Sequence, residues 1–335
     1  MDNGKDMSEE DNIEKNENGK EPVKKETFQF LSKDGKTKIH AVKWIPDHGK
    51  VRAIMQISHG MVEYIERYDE FACYLAKRGF LVVGNDHLGH GSSVTQESEW
   101  GYFTDKKPSE TVVADLYQVT RIVSSQYPDC PYFILGHSMG SFLLRRYLTL
   151  HSEAVTGAVI CGTGSQPDVV TVFGMFACGL IRMFRGGHHR SSFLTNAAFG
   201  KSYAAFDKTG AEPSKSWLSK NEESVRAYYN DPRCTFMFTV NGYYGLLSTL
   251  WYVNQMKYIR KMRKNLPVFF IAGKEDPVGD FGEGVKKVCA QYRQAGIRDV
   301  KIKLYENDRH EILQETDREQ VFEDVYQWCK KRMRK

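Results

Sequence analysis

The chain has 335 residues, of which 41% are hydrophobic and 13% aromatic, and its formal net charge is +5. This length suits either one large domain with an insertion or two average domains, with enough apolar content for a sizeable core. The small positive excess gives no ground for a nucleic-acid-binding function, although it is compatible with a weakly basic face toward anionic lipid.

Hydropathy and cysteine usage both argue against a secreted or membrane-spanning protein. No apolar run reaches the length of a transmembrane helix, and the N-terminus lacks the pattern of a signal peptide. The seven cysteines are scattered and form no C-x-x-C pair, which is typical of reduced thiols rather than a disulfide framework. The sequence therefore predicts a cytoplasmic protein.

The first 26 residues form a polar segment rich in Asp, Glu, Asn and Lys. Such a composition buries too little apolar surface to offset the entropy of ordering, so 1–26 is expected to be a disordered leader. After it, two stretches of alternating polarity, 27–31 and 38–44, flank a turn at 33–35 and predict a β-hairpin.

Buried strands and helices alternate along most of the remaining chain. Short apolar strands are predicted at 53–58, 80–84, 132–135, 155–161, 266–273 and 300–305. Stretches with helical spacing lie between them, and a further one follows the last strand. This alternation predicts an α/β fold with a mostly parallel sheet.

The alternation lapses between 165 and 263, where the chain is rich in aromatic residues and 169–184 is apolar on almost all sides. The strand pattern resumes afterwards. Residues 27–164 and 264–335 are therefore predicted to form the core, and 165–263 an insertion between two strands of one sheet.

A Gly-His-Ser-Met-Gly motif at 136–140 lies between a predicted strand and a predicted helix. This is G-x-S-x-G in the context that a nucleophilic serine requires, because the tight turn lifts the hydroxyl above the sheet edge. Gly136 and Gly140 leave room for the two backbones to pass. Ser138 is the predicted nucleophile.

A serine hydroxyl needs a base, and the base needs an acid that orients it. In a parallel α/β sheet with this motif the expected order is serine, acid, histidine. His310 is the one histidine of ten that lies C-terminal to the insertion, so it is the predicted base. Asp276 is the preferred acid, since the following proline restricts its backbone to an extended conformation. Glu275 and Asp280 remain alternatives.

The oxyanion requires two backbone N–H donors. One is expected from Met139, directly after the nucleophile, and the other from Met61, in the loop after the third strand. Gly60 gives that loop room to turn.

The loop at 86–92 contains Asp86, His87 and His90. Further ligands at the spacing of a metal site are lacking, so we interpret the loop as structural. Neither a metal nor a cofactor is expected.

Together these segments resemble the serine hydrolases of the α/β-hydrolase superfamily that include monoacylglycerol lipases and bacterial lysophospholipases. The similarity is carried by His59, Gly60, Met61, Glu63, Arg67 and Tyr68, by 86–92, 136–140, 273–276 and 309–313, and by Asp231, Pro232, Phe238 and Thr239. It implies an eight-stranded, mostly parallel sheet flanked by helices, with a helical cap at 165–263. It also implies that Ser138, Asp276 and His310 form a catalytic triad.

The resemblance implies a carboxylic-ester hydrolase that acts on a lipid with one acyl chain, such as monoacylglycerol, through an acyl-enzyme on Ser138. A lysophospholipase and a broad carboxylesterase are alternatives. A serine aminopeptidase and a non-catalytic ligand-binding protein are less favoured. The aromatic cap would line an acyl pocket. The stretch 169–184, with arginines nearby, suits either peripheral contact with a membrane or packing within the protein. The sequence does not indicate an oligomeric state.

Overall fold

The structure is a computed structural model that describes residues 23–46 and 50–333. Residues 1–22 of the predicted leader lie outside this part of the chain. The first strand begins at Lys24, inside the segment predicted to be disordered, and Val23 before it is buried. The composition failed here because Lys24 and its neighbours pair through their backbone with the second strand while their side chains stay exposed.

One sheet of eight strands lies at the centre of the described residues, in the order β1-β2-β4-β3-β5-β6-β7-β8. The first two pairings are antiparallel, and all the others are parallel. The strands are β1 (Lys24–Leu31), β2 (Lys38–Ile45), β3 (Ala53–Ser58), β4 (Phe80–Asn85), β5 (Tyr132–His137), β6 (Gly157–Cys161), β7 (Val268–Gly273) and β8 (Val300–Tyr305). The predicted mostly parallel eight-stranded α/β fold is confirmed.

Helices cover both faces of this sheet. They are α1 (Asp69–Ala76), α2 (Pro108–Gln126), α3 (Met139–His151), α4 (Asp168–Arg185), α5 (Ser192–Ala198), α6 (Glu222–Asn230), α7 (Val240–Asn254), α8 (Met256–Ile259), α9 (Glu283–Gln294) and α10 (Arg318–Lys330). The core on one face is formed with α2, α3 and α9, and the core on the other face with α1 and α10. The inner strands β3, β5, β6 and β7 are buried along their whole length, because parallel strands between two helical layers have no solvent-facing side.

The chain leaves the sheet after β6 and returns to it at β7, with α4 to α8 in between. We define the cap as residues 165–263, the bounds predicted from the sequence. Thr239 caps the N-terminus of α7 by accepting the Gly242 amide, and α7 packs against α4.

The apolar stretch 169–184 forms most of α4, in which only Thr171 and Cys178 are buried. One side of the helix packs on α7, and the other carries exposed apolar side chains. These are Val169, Val170, Val172, Phe173, Phe176, Leu180, Met183 and Phe184. In the described part of the chain, no helix is both long and apolar enough to cross a membrane. All seven cysteines are free, and five of them are buried.

Candidate active site

Ser138 occupies the turn between β5 and α3, with φ 52° and ψ −120°. A positive φ is strained for a residue with a side chain, and such strain is concentrated at functional sites. Hydrogen bonds hold the turn, because the Ser138 amide donates to the Cys161 carbonyl (3.0 Å) and the Ser138 carbonyl accepts from the amide (2.9 Å) and the hydroxyl (2.6 Å) of Ser141. The serine is thereby fixed at the carboxyl end of the central strand.

The two motif glycines are required by close packing around this turn. A side chain at Gly136 would collide with the Gly140 carbonyl, and one at Gly140 would collide with the Ser58 carbonyl at the end of β3. Both positions therefore exclude larger residues, for the reason expected from the sequence.

The structure brings His310 together with Asp276. His310 Nδ1 lies 3.0 Å from Asp276 Oδ1, and the two side chains are 2% and 0% exposed. The carboxylate oxygen accepts, so Nδ1 is the donor of this hydrogen bond, and Nε2 is the ring nitrogen that it leaves available. Asp280, one of the two alternatives, is exposed, whereas Glu275 is paired with Lys220. The geometry thus favours Asp276 over both alternatives.

The predicted oxyanion donors belong to two elements that meet beside Ser138. Met139 is the first residue of α3, where amides lack partners within the helix. Met61 lies in the loop after β3, and the next residue, Val62, has φ 56°, which is strained for a β-branched side chain. A side chain at Gly60 would contact Ser138 Cβ, which shows how closely this loop approaches the nucleophile.

A buried network of charged residues lies behind this loop, and the sequence analysis did not identify it as a network. Arg67 donates to Glu63 (2.7 Å) and forms a bidentate pair with Glu311 (2.6 and 2.8 Å). Glu63 also accepts hydrogen bonds from the Gly60 amide and the Tyr68 hydroxyl. Glu63 and Arg67 are four residues apart, a spacing that signals an ion pair, but Glu311 is too distant in sequence for any such signal.

His137 joins this network to His310, the predicted base. Its Nδ1 lies 3.3 Å from Glu63 Oε1, and its Nε2 lies 3.2 Å from the His310 carbonyl oxygen. Burial opposes ionisation of Glu63, but the hydrogen bond with His137 and the charge of Arg67 outweigh it, so the pKa of Glu63 is lowered. Burial likewise opposes the charged form of His137, yet Glu63 raises the pKa of this imidazole above its usual value. The network links the loop of Met61, the residue before Ser138 and the residue after His310.

Three buried histidines pack beneath the same loop. The His59 and His87 rings lie 4.2 Å apart, and His90 lies 5.3 Å from His59. Burial lowers the pKa of all three imidazoles, that of His90 to about 3. His87 and His90 belong to the predicted structural loop at 86–92, and His59 follows β3. Within 23–46 and 50–333, no group of three or more His, Cys, Asp or Glu side chains is arranged to hold a metal ion.

The cap contributes directly to the surroundings of the base. The Trp217 ring lies 5.1 Å from the His310 imidazole, and the Trp217 carbonyl accepts the His310 amide at 3.4 Å. The Leu218 carbonyl accepts the Glu311 amide at 2.7 Å. In the sequence, Trp217 is one of many aromatic residues in the insertion, and only the fold shows that it contacts His310.

Ser138 and His310 both line one cavity of about 930 Å³ between the core and the cap. The end that contains Ser138 and His310, the predicted catalytic end, also includes Gly60, Met61, Glu63, Met139 and Glu311. Its cap side is mainly apolar and is lined by residues such as Phe173, Ala177, Leu194, Tyr243, Leu246, Leu247 and Leu250. A cavity of this size with a few polar groups at one end is typical of a small-molecule site.

Comparison with known proteins agrees with this geometry. A family described as "Serine aminopeptidase, S33" matches residues 49–317. The monoglyceride lipase of Mus musculus is 26% identical over 295 residues, which cover 87% of this chain and 86% of the mouse protein. The monoacylglycerol lipase of Mycolicibacterium smegmatis is 24% identical over 296 residues, or 85% of this chain and 90% of that protein.

A crystal structure is also similar over almost the whole chain. It is that of a highly thermostable carboxyl esterase from Bacillus coagulans in complex with glycerol, with a TM-score of 0.84 and 28% identity over 92% of this chain and 99% of that one. The predicted resemblance to monoacylglycerol lipase-like α/β-hydrolases is confirmed. Because the family match spans most of the chain and includes both the core and the cap, the protein belongs to the "Serine aminopeptidase, S33" family and is a hydrolase.

Proposed function

We propose that the protein hydrolyses monoacylglycerol, with Ser138 as nucleophile, His310 as base and Asp276 as the acid that orients the base. One observation carries this proposal. Ser138, in its strained turn, lines the same apolar cavity as His310, whose Nδ1 lies 3.0 Å from buried Asp276. The names of the mouse and mycobacterial relatives support the same substrate class.

In the proposed acylation step, Ser138 Oγ attacks the acyl carbonyl carbon while His310 Nε2 takes the hydroxyl proton. The amides of Met61 and Met139 donate to the oxyanion that forms. The imidazolium, stabilised by Asp276, gives its proton to the glycerol oxygen as the ester C–O bond breaks, and glycerol leaves. The acyl chain remains bonded to Ser138 and lies along the apolar side of the cavity.

Water then removes the acyl chain by the reverse sequence of roles. His310 takes a proton from the water as its oxygen attacks the acyl carbonyl, and the same oxyanion donors are used. Collapse of the second tetrahedral intermediate breaks the bond to Ser138, which recovers its proton from His310. The fatty acid is the second product.

The charges of the cavity favour a neutral head group over a phosphate. Glu63 and Glu311 lie at its catalytic end, and of the described residues that line it Lys208 is the only lysine or arginine. Lys208 is exposed, so water weakens its attraction for a phosphate. Glycerol carries no charge, and it is present in the complex of the similar Bacillus coagulans esterase. We therefore place monoacylglycerol ahead of lysophospholipid.

A peptide substrate is less well supported, even though the family description names an aminopeptidase. The ammonium of a peptide N-terminus needs an acidic partner in a buried site. Glu63 and Glu311 are the two acidic residues among the described lining residues, and both already pair with Arg67. The apolar cap side suits an acyl chain better.

We further propose peripheral contact with a lipid surface through α4, in a protein of the cytoplasm. The exposed side of α4 includes Phe173, Phe176 and Phe184, and Val169, Val170 and Phe173 also line the cavity. Arg185 in the last turn would meet lipid phosphates, whereas Arg182 already donates to the Asp105 carbonyl of the core. A substrate would then pass from the lipid layer to Ser138 without crossing water.

Labelling with a fluorophosphonate tests the nucleophile. The wild type is expected to form a stable covalent adduct that Ser138→Ala abolishes and His310→Ala strongly slows. Ser202→Ala is the matched control, because Ser202 also lines the cavity and its loss should leave labelling unchanged. An unlabelled wild type, or labelling that survives Ser138→Ala, would contradict the proposal.

Substrates of equal chain length test the head group. Monoacylglycerol, lysophosphatidylcholine and lysophosphatidic acid with one common acyl chain are compared by kcat/KM. The neutral glycerol ester is expected to be the best of the three. A preference for either phosphate-containing lipid would replace the monoacylglycerol assignment with the lysophospholipase one.

A further inference from the structure

Arg145 on α3 is a fully buried cation whose hydrogen-bond partners, among the described residues, are all neutral oxygens. Its Nη1 donates to the Gly164 carbonyl at 2.8 Å and to Thr163 Oγ1 at 3.3 Å. Its Nη2 donates to the Val253 carbonyl at 3.3 Å and to Asn254 Oδ1 at 3.4 Å. The side chain is 0% exposed.

Burying a guanidinium without a carboxylate is unfavourable. Burial lowers the pKa of Arg145 below its ordinary value, and the nearby Tyr292 opposes this shift only in part. A leucine or methionine would fill this part of the helix face without that penalty. The presence of arginine here therefore calls for a role that only a charged, forked donor can perform.

The four oxygens lie at the two places where the chain passes between core and cap. Thr163 and Gly164 follow β6, where the chain leaves the sheet. Val253 and Asn254 end α7, and α8, which follows them within the cap, already packs against α9 of the core. We call these the outgoing crossing (163–166) and the return crossing (253–255). Arg145 Nη1 donates to the outgoing crossing, and Nη2 donates to the return crossing.

The crossings are also bonded to each other. Asn254 Nδ2 donates to the Gln166 carbonyl at 2.7 Å, and Gln255 donates to Asp168 at the start of α4 at 2.9 Å. Hydrogen bonds between the two crossings thus hold them together on the cap side. Arg145 holds the same two segments from the core side.

The return crossing offers partial compensation for the charge of Arg145. The Val253 carbonyl is one of the last carbonyls of α7, which have no partner within the helix. The C-terminus of a helix carries a partial negative charge, so a cation there is favoured. Arg145 therefore holds the end of α7 electrostatically as well as by hydrogen bonds.

The outgoing crossing supports the loop of the proposed catalytic acid. A side chain at Gly164 would collide with the Val278 carbonyl, and one at Gly279 would lie 3.2 Å from the Thr163 carbonyl oxygen and 3.6 Å from Asp276 Oδ2. Arg145 itself is on the helix that begins directly after Ser138. The nucleophile helix and both crossings thus meet at Arg145, and the acid loop packs against the outgoing crossing.

We propose that Arg145 is a positioning residue that fixes both crossings to the nucleophile helix, so that the cap keeps its place over Ser138. Only its forked shape reaches both crossings at once. A lysine in its place would keep the charge but would reach one crossing at a time. The activity readout of this inference rests on the proposed function, whereas its structural readout does not.

Hydrogen exchange of the full-length protein is the first test. In Arg145→Met, amides at 163–168 and 251–257 are expected to exchange at least about tenfold faster, while those of β5 keep wild-type rates. Arg145→Lys should accelerate exchange at one crossing only. Arg332→Met is the matched control, because Arg332 is a largely buried arginine whose partners, Asp299 and the Trp328 carbonyl, belong to neither crossing.

The second test compares a long-chain monoacylglycerol with p-nitrophenyl acetate. The long chain depends on the cap for binding and the acetate does not, so the ratio of their kcat/KM values should fall at least about fivefold in Arg145→Met. Unchanged exchange at both crossings, a uniform rise over the whole chain, or an unchanged ratio would overturn the inference. If the wild type hydrolyses neither ester, the proposed function fails, and the exchange rates alone decide the role of Arg145.

Discussion

Two buried arginines support this site, and their surroundings differ. Arg67 lies between the carboxylates of Glu63 and Glu311, at 2.6–2.8 Å. Arg145 lies among neutral oxygens, at 2.8–3.4 Å. Arg67 joins the loop after β3 to the loop after β8 and also lies 4.8 Å from the Tyr228 ring of the cap. Arg145 joins α3 to both crossings.

The difference shows that the two arginines hold their surroundings with different strength. Displacing Arg67 would strand two buried carboxylates, so the loops beside the proposed catalytic groups are held together strongly there. Displacing Arg145 from one crossing would release only neutral oxygens, which cost less to leave unpaired. The stronger of the two connections thus lies beside the proposed catalytic groups, and the weaker one lies where α3 meets the two crossings.

Asp276→Asn should give the largest effect, and it sharpens the core side of this comparison. A neutral amide in place of the carboxylate neither fixes the His310 tautomer nor stabilises the imidazolium, so kcat is expected to fall about 10⁴-fold with little change in folding. Steady-state hydrolysis of a monoacylglycerol measures this loss. Asp280→Asn is the control and should stay within about twofold of wild type. The opposite pattern would make Asp280 the acid.

Arg67→Met tests the compensated network. It leaves Glu63 and Glu311 buried without their cation, and the free energy of unfolding is expected to fall by about 3–5 kcal/mol. Adding Glu63→Gln and Glu311→Gln to the same variant should recover much of the loss, since the uncompensated charges are removed. Urea denaturation provides the measurement.

The matched control for Arg67 is an exposed pair. Arg226 pairs with Glu222 on the surface of α6, and Arg226→Met should change stability by less than about 0.5 kcal/mol. Equal losses of unfolding free energy for Arg67→Met and Arg226→Met would mean that the buried network stabilises the protein no more than an exposed ion pair. The contrast between Arg67 and Arg145 would then be wrong.

The features that the sequence predicted are those with local signals. Ser138 lies in a strand–turn–helix motif whose glycines have steric reasons that are complete within a few residues. His310 follows from its position after the insertion, and the parallel sheet from the alternation of strands and helices. In each case, either the residues that determine the feature are neighbours in the sequence, or the order of strands and helices leaves few alternatives for it.

The features that the sequence did not predict depend on backbone oxygens and distant partners. In the sequence, Arg145 resembles any polar residue on an amphipathic helix. Its partners at the two crossings include backbone carbonyl oxygens, which every residue has and which therefore give no sequence signal. Glu311 meets Arg67 only because β3 and β8 end at the same edge of the sheet. Lys24 joined the sheet against its composition, because backbone pairing does not depend on the polarity of side chains.

Buried histidines provide a third, smaller test of the core. His90 is fully buried, and burial lowers its pKa to about 3. The unfolded chain binds a proton at this residue below about pH 6.5, and the folded protein does not, so stability is present above that pH and is lost as the pH falls. Two aspartates act in the opposite sense, since burial raises the pKa of Asp115 to about 6 and that of Asp308 to about 7.

A variant without the titrating group isolates this contribution. His90→Asn keeps a donor for the Leu88 carbonyl, which accepts from His90 Nδ1 at 3.0 Å, but it does not titrate. Between about pH 7.5 and about pH 5, the wild type should lose about 2 kcal/mol more unfolding free energy than His90→Asn. If the wild type and His90→Asn lose stability equally, His90 does not contribute.

Substitutions on the outer face of the cap should have the smallest effect on folding. They distinguish the packing of α4 from its proposed contact with lipid. Met183 and Phe184 are 68% and 78% exposed, so replacing both with serine should change the free energy of unfolding by less than about 0.5 kcal/mol. Binding to vesicles of phosphatidylcholine and phosphatidylglycerol should weaken about tenfold or more, because the apolar area that enters the lipid is lost. Phe281→Ser, at an exposed phenylalanine of the core, should leave vesicle binding unchanged. Cosedimentation measures binding to the vesicles. If the α4 variant binds as the wild type does, these exposed apolar side chains do not contact lipid.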